Sequence, residues 1–208
     1  MKTLKTLFPV LIVAVTVFAS CNNKPKEETT ATTVDSTAAE ATYTLNADSS
    51  SFVGWKAVML GVKEHTGKLS FKAGSITTKG GQLTAGNFTV DMAAITPLDG
   101  NYNAQSTKEK LIGHLSSPDF FDLANFPTSS FVIKSVNGNS ATGTLTVRGK
   151  SNDETLNNIV ISETDGVLKA SGELKFDRKK YDVNFDVPSK DMVISNDIEL
   201  KIELTGKR

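Results

Sequence analysis

The sequence predicts an all-β protein: about eight antiparallel strands closed into a barrel, with one short helix near one mouth. Three observations carry this expectation. From Thr42 to the C-terminus, apolar and polar residues alternate in short runs, the period of a half-buried strand. Between the runs stand Lys79-Gly80-Gly81, Asn137-Gly138-Asn139 and Asp165-Gly166, which tolerate the positive φ that tight hairpins require. Roughly 165 residues of this pattern make one domain. An antiparallel sheet of that size loses its exposed edges by closing, and about eight strands leave an interior able to hold one small ligand.

The chain begins differently. Lys2 and Lys5 precede an apolar run from Leu7 to Phe18, and Ala19-Ser20-Cys21 follows. Residues 1–20 therefore read as a secretory signal, since a membrane span needs about 20 apolar residues. Phe18-Ala19-Ser20-Cys21 resembles the lipobox of bacterial lipoproteins, in which the cysteine is acylated and becomes the mature N-terminus. Cys21 is the single cysteine of the chain, so it can form no internal disulfide and no cysteine-based zinc site. Residues 21–41 are mostly Asn, Lys, Pro, Glu, Thr, Ala and Ser, too polar to bury a core, and read as a flexible tether. Residues 42–208 form the barrel domain.

Within that domain the clearest strand is the last. Ile198, Leu200, Ile202 and Leu204 alternate with Glu199, Lys201 and Glu203, giving one dry and one wet face. The same alternation marks Phe88, Val90 and Met92; Phe131 and Ile133; Leu145 and Val147; and Leu174 and Phe176. One segment departs from it. Ser106-Thr107-Lys108-Glu109 has the spacing of a capping box, and Leu111, Ile112 and Leu115 follow at helical intervals. A short helix from Thr107 to Leu115 is expected over one end of the sheet.

Charge and motifs exclude several functions. Lys plus Arg and Asp plus Glu balance at 23 each, and removal of Lys2 and Lys5 leaves the remainder slightly acidic. There is no basic footprint for nucleic acid. Gly149-Lys150-Ser151 ends a run whose glycines are one residue too far apart for a phosphate loop, and no long helix follows. Neither a Gly-x-Ser-x-Gly elbow nor a His-Glu-x-x-His motif is present. Two isolated histidines, His65 and His114, lack metal-ligand spacing. Asp119 with Asp122, and Asp182 with Asp186, read as turn and surface residues; Asp99-Gly100 is a turn signal without the remaining ligands of a calcium loop. The reading is non-catalytic, with no cofactor and no metal.

A constellation of short motifs carries a family resemblance. It comprises Trp55-Lys56, His65-Thr66-Gly67, Gly86-Asn87-Phe88-Thr89-Val90-Asp91-Met92, His114-Leu115-Ser116-Ser117-Pro118-Asp119-Phe120-Phe121-Asp122, Phe126-Pro127, Phe131, Gly143-Thr144-Leu145-Thr146-Val147-Arg148-Gly149 and Asp177-Arg178. In order and spacing it is similar to the YceI-like family from about Tyr43 onward. The family often has a glycine where this chain has Tyr181-Asp182. The resemblance implies a lipocalin-like barrel whose hydrophobic tunnel binds a polyisoprenoid or related long-chain lipid in the bacterial cell envelope, as a periplasmic or outer-membrane-anchored lipoprotein.

Eleven Phe against one Trp and three Tyr give an interior of aromatics that mostly need no hydrogen-bond partner. Phe71, Phe88, Phe120, Phe121, Phe126, Phe131 and Phe176 suit a dry lining, to which Trp55, Met92 and Leu145 are added. Leu111 and Leu115 of the helix, with the Asp119-Phe120-Phe121-Asp122 turn, are expected to frame the entrance. His114 is the candidate donor to a headgroup oxygen, and Arg148 and Arg178 are the candidate partners of a phosphate. The partners so implied are an isoprenoid or other long-chain lipid and, through Cys21, a membrane; a homodimer is left open. The competing reading is a structural or interaction lipoprotein whose barrel is filled by its own side chains, and an enzyme acting on lipids is the third.

Overall fold

A computed structural model describes residues 38–60, 63–187 and 193–208. The signal, Cys21 and most of the tether lie outside the described residues. Among the described residues there are nine strands, one more than expected: β1 (Glu40–Leu45), β2 (Phe52–Leu60), β3 (Lys63–Lys79), β4 (Gln82–Pro97), β5 (Thr128–Asn137), β6 (Ser140–Val147), β7 (Lys150–Thr164), β8 (Val167–Asp177) and β9 (Val193–Lys207). Strands β2 to β9 form an antiparallel meander in which each pairs with the next, and β9 returns to pair with β2. That ring is the eight-stranded barrel. The additional strand β1 lies against the far half of β3, from Glu40 opposite Lys79 to Thr44 opposite Ser75, and against the end of β9 at Lys207 and Gly206.

The turns follow from backbone chirality. Gly80-Gly81, Gly138 and Asp165-Gly166 take positive φ between β3 and β4, β5 and β6, and β7 and β8. A fourth turn was not expected: Arg148 (φ 49°) and Gly149 (φ 70°) separate β6 from β7. Arg148 is therefore a turn residue.

Alternation delivers the inner face. In β6, Ala141, Gly143, Leu145 and Val147 are buried, and in β8, Leu168, Ala170, Gly172, Leu174 and Phe176 are. Gly67 on β3 is required by Trp55 on β2: a Cβ at Gly67 would lie 2.4 Å from the indole ring and 2.4 Å from the Thr96 carbonyl oxygen. The missing side chain is what lets Trp55 lie flat on the inner wall.

The helix α1 (Lys108–Ser116) packs on β4, and the loop that follows it is tied to the turn where β6 finishes and β7 begins. Its cap is Thr107, whose Oγ1 accepts the Lys110 N–H at 3.3 Å, so the cap sits one residue later than the Ser106 box implied. Ser117 ends it by donating its N–H to the His114 carbonyl.

Candidate functional site

The interior holds a cavity of about 160 Å³. Every strand of the ring contributes to its wall: Trp55 from β2, Phe71 from β3, Phe88 and Met92 from β4, Phe131 from β5, Leu145 from β6, Ile161 from β7, Phe176 from β8 and Leu200 from β9. Apart from Ser129, Ser130, Ser171 and Gly172, the lining side chains are all apolar. The volume is close to the ~150 Å³ apolar cavity that stays dry and admits benzene.

The sequence-selected lining residues are brought together with two exceptions. Trp55, Phe71, Phe88, Met92, Leu115, Phe120, Phe121, Phe131, Leu145 and Phe176 face the cavity. Leu111 does not, and Phe126 is likewise absent from the wall. The helical register sends Ile112, not Leu111, against the core with Leu115. Phe126 instead packs on Gly149, with ring carbons 2.7 and 3.2 Å from where a Cβ would stand. Residues that sequence reading missed include Val53, and also Leu69, Ile76 and Ile95, whose strands are interrupted by bulges that shift the alternation.

The helical end is closed by the loop after α1. Phe121 N–H bonds to the Leu115 carbonyl, Asp122 N–H to Ser117 and Leu123 N–H to Ser116, so the loop folds back on the helix. Phe120 and Phe121 thereby point into the barrel. His114 packs edge-on against Phe120 (5.1 Å, 83°) and Phe185 (4.4 Å, 88°). These two contacts place the half-buried ring in the aromatic plug of this end.

Both arginines differ from the phosphate role expected of them. Arg148 donates to the carbonyls of Phe120 (2.8 Å), Asp182 (2.7 Å) and Pro118 (2.6 Å), tying the β6–β7 turn to two loops. Arg178 is only 1 % exposed and donates to the carbonyls of Val183, Phe185 and Ser195 and to the Asp186 carboxylate. The buried Arg178 spends its fork entirely within the protein, and the half-buried Arg148 commits three N–H groups to backbone carbonyls, so neither presents a free fork to a phosphate. The Asp186 carboxyl is held below its usual range by Lys179 first and Arg178 second.

A separate polar cluster anchors the segment leading to α1. Asp99 accepts from the backbone N–H of Thr66 and Asn101 and from the Tyr102 hydroxyl, and its Oδ2 lies 3.1 Å from His65 Nδ1. Burial pushes the Asp99 carboxyl up, but the bonds from Asn101, His65, Tyr102 and Thr66 outweigh it and hold the group at about 2. Burial, and next the bond to Asp99, pushes Tyr102 up to about 12. The histidine of the His65-Thr66-Gly67 motif is thus a positioning residue for the loop.

A closed up-and-down barrel around an apolar cavity, with a helix over one end, is the architecture of the lipocalin-like β-barrels. Within that class the chain belongs to the YceI-like family, whose domain model matches residues 43–206. The fold is similar to that of BcnA from Burkholderia cenocepacia, with a TM-score of 0.60 at 18 % identity over 77 % of this chain and 99 % of that one. It is also similar to a polyisoprenoid binding domain from Saccharophagus degradans implicated in plant cell wall breakdown, with a TM-score of 0.54 at 13 % identity over 79 % and 97 %. A UPF0312 protein of Staphylococcus aureus strain USA300 is 31 % identical over 107 residues, covering 48 % of this chain and 61 % of the relative. The match thus spans about three fifths of the length of the curated relatives.

Proposed function

We propose that the barrel binds and carries a long apolar lipid of the isoprenoid class, without catalysis. The carrying observation is the cavity itself: its wall is contributed by all eight ring strands and is almost wholly hydrocarbon. Such a wall favours a chain with no polar atom to satisfy, at about 0.8 kcal/mol for each buried CH₂. The Saccharophagus domain of the same fold, which binds polyisoprenoid, supports this ligand class.

Occupancy asks for side-chain movement. At about 160 Å³ the space suits one slender chain segment, and Phe131 and Ile202 are half-buried groups on its wall whose rotation would enlarge it. The apolar wall and the engaged donors of Arg148 and Arg178 leave the headgroup outside the cavity.

In this reading the chain is a lipoprotein, tethered to an envelope membrane by acylation of Cys21 and residues 21–41, with its domain in the periplasm or at the outer membrane. Two or three acyl chains anchor firmly where one binds only marginally. Solvent extraction of freshly purified protein followed by mass spectrometry tests the carrier function. A long apolar lipid is expected. An extract empty in repeated preparations, with no uptake of added polyprenol, supports the filled-barrel alternative.

A further inference from the structure

Both ends of the barrel are filled by the protein's own side chains. Leu115, Phe120 and Phe121 occupy the helical end, held by Arg148. Tyr43 and Leu45 of β1 and Leu168 of β8, all buried, pack the opposite end. An apolar chain reaching the cavity along the axis must displace one of these plugs.

The wall offers another way in. Strands β4 and β5 pair only from Asn87 opposite Val132 to Asp91 opposite Thr128. Continuing that register would set Gly86 opposite Ile133 and Ala85 opposite Lys134, yet residues 82–86 and 133–137 do not pair with each other. Each stretch keeps its other neighbour: β4 stays on β3 to Gln82 opposite Lys79, and β5 stays on β6 to Asn137 opposite Ser140. The seam unzips halfway along.

Two irregularities explain the parting. The β3–β4 register shifts between Thr77 and Thr78, and the β5–β6 register shifts between Ile133 and Ser135, one on each side of the split. Bulges bend their strand and increase its twist, so this pair turns the two half-strands apart. Leu83 and Ile133, one on each lip, are half-buried and line the cavity. Ile133 lies across the root of the split, its Cδ1 3.1 Å from where a Cβ on Gly86 would stand. Outside, Thr84, Ala85 and Lys134 are exposed, and Val132 is 48 % exposed.

We propose that the split between β4 and β5 is the port through which an apolar chain enters and leaves the cavity, with Leu83 and Ile133 as its gate. This rests on the reading of the cavity as a lipid site. A lateral port lets a chain slide in sideways while its polar end remains in solvent, and neither Arg148 nor Arg178 has to release its carbonyls.

The test staples the seam. In the full chain carrying Cys21→Ser, Ala85→Cys with Lys134→Cys is oxidised, or bridged by a short bis-maleimide, and the crosslink is verified by mass. A second pair, Glu173→Cys with Lys201→Cys, staples the fully paired β8–β9 seam. Transfer of a dansyl-labelled polyprenol from phosphatidylcholine vesicles is followed by fluorescence. The closed β4–β5 staple slows transfer about tenfold or more, as expected of a gate that limits exchange. The β8–β9 staple leaves it unchanged, and Ile133→Ala without any staple speeds it. Unchanged transfer in the crosslinked β4–β5 protein, or in Ile133→Ala, overturns the port while leaving the lipid site intact. A reference chain that takes up no polyprenol overturns the lipid site and the port together.

Discussion

Arg148 Nη1 donates to the Phe120 carbonyl oxygen at 2.8 Å, joining the β6–β7 turn to the loop that plugs the helical end of the barrel. Two further carbonyls, those of Pro118 and Asp182, complete the fork. One guanidinium thus fixes the plug that carries Phe120 and Phe121.

Replacing that fork with a point charge loosens the plug. A lysine ammonium cannot span three carbonyls in one plane. Arg148→Lys is expected to fold but to lose about 0.5–1.5 kcal/mol, the net worth of a hydrogen bond whose freed carbonyls water can still reach. A thermal unfolding curve indistinguishable from wild type would show that the clamp carries no stability.

Gly67 sets a steric condition on Trp55. A Cβ placed there meets both the indole and the Thr96 carbonyl at 2.4 Å, and backbone on one side cannot yield cheaply. Gly67→Ala is expected to cost about 1–3 kcal/mol or more through overpacking. Trp55 is the sole tryptophan, so its emission reports the displaced ring directly. Wild-type emission and an unchanged melting temperature together would remove the condition.

Sequence patterning reached the runs whose alternation is unbroken, in β4, β5, β6, β8 and the Ile198–Leu204 part of β9, and stopped where bulges change phase. Strand β7 is the clearest loss. Its inward residues Leu156 and Ile161 are separated by a register shift between Asn157 and Val160, with Asn158 at φ 53°. No period of two connects them. The Arg148-Gly149 turn was hidden because Arg is an uncommon first residue of a positive-φ pair. Asp182 adopts φ 58° although it is not a glycine, which the sequence does not announce. The apolar lining was legible because it depends on composition and alternation; the roles of Arg148 and Arg178 were not, because carbonyl partners distant in sequence decide them.

Asp99 makes the fold sensitive to acid. Its carboxyl is lowered from 3.8 to about 2 in the folded protein, so the stabilisation is fully present above about pH 4 and is lost as pH falls toward 2. Asp99→Asn should lower stability at neutral pH and flatten the decline between these values. Urea unfolding across that range measures it, and parallel curves for the two proteins would remove Asp99 from the cause.

The cavity distinguishes a ligand site from a packing defect by what happens when it is filled. Ile202 on β9 is half-buried and borders the space, so Ile202→Phe puts a ring into an existing void instead of into the packed wall. Filling a void of about 160 Å³ is expected to leave stability unchanged or to raise it by about 0.5–2 kcal/mol. Under the carrier reading the same change should weaken polyprenol binding about tenfold or more, since the ring takes the place of several buried methylenes. Affinity and stability then move in opposite directions, which no general loosening of the fold can produce. Equilibrium titration alongside thermal melting reads both quantities. A variant that is more stable and still binds polyprenol with wild-type affinity would place the lipid somewhere other than this interior.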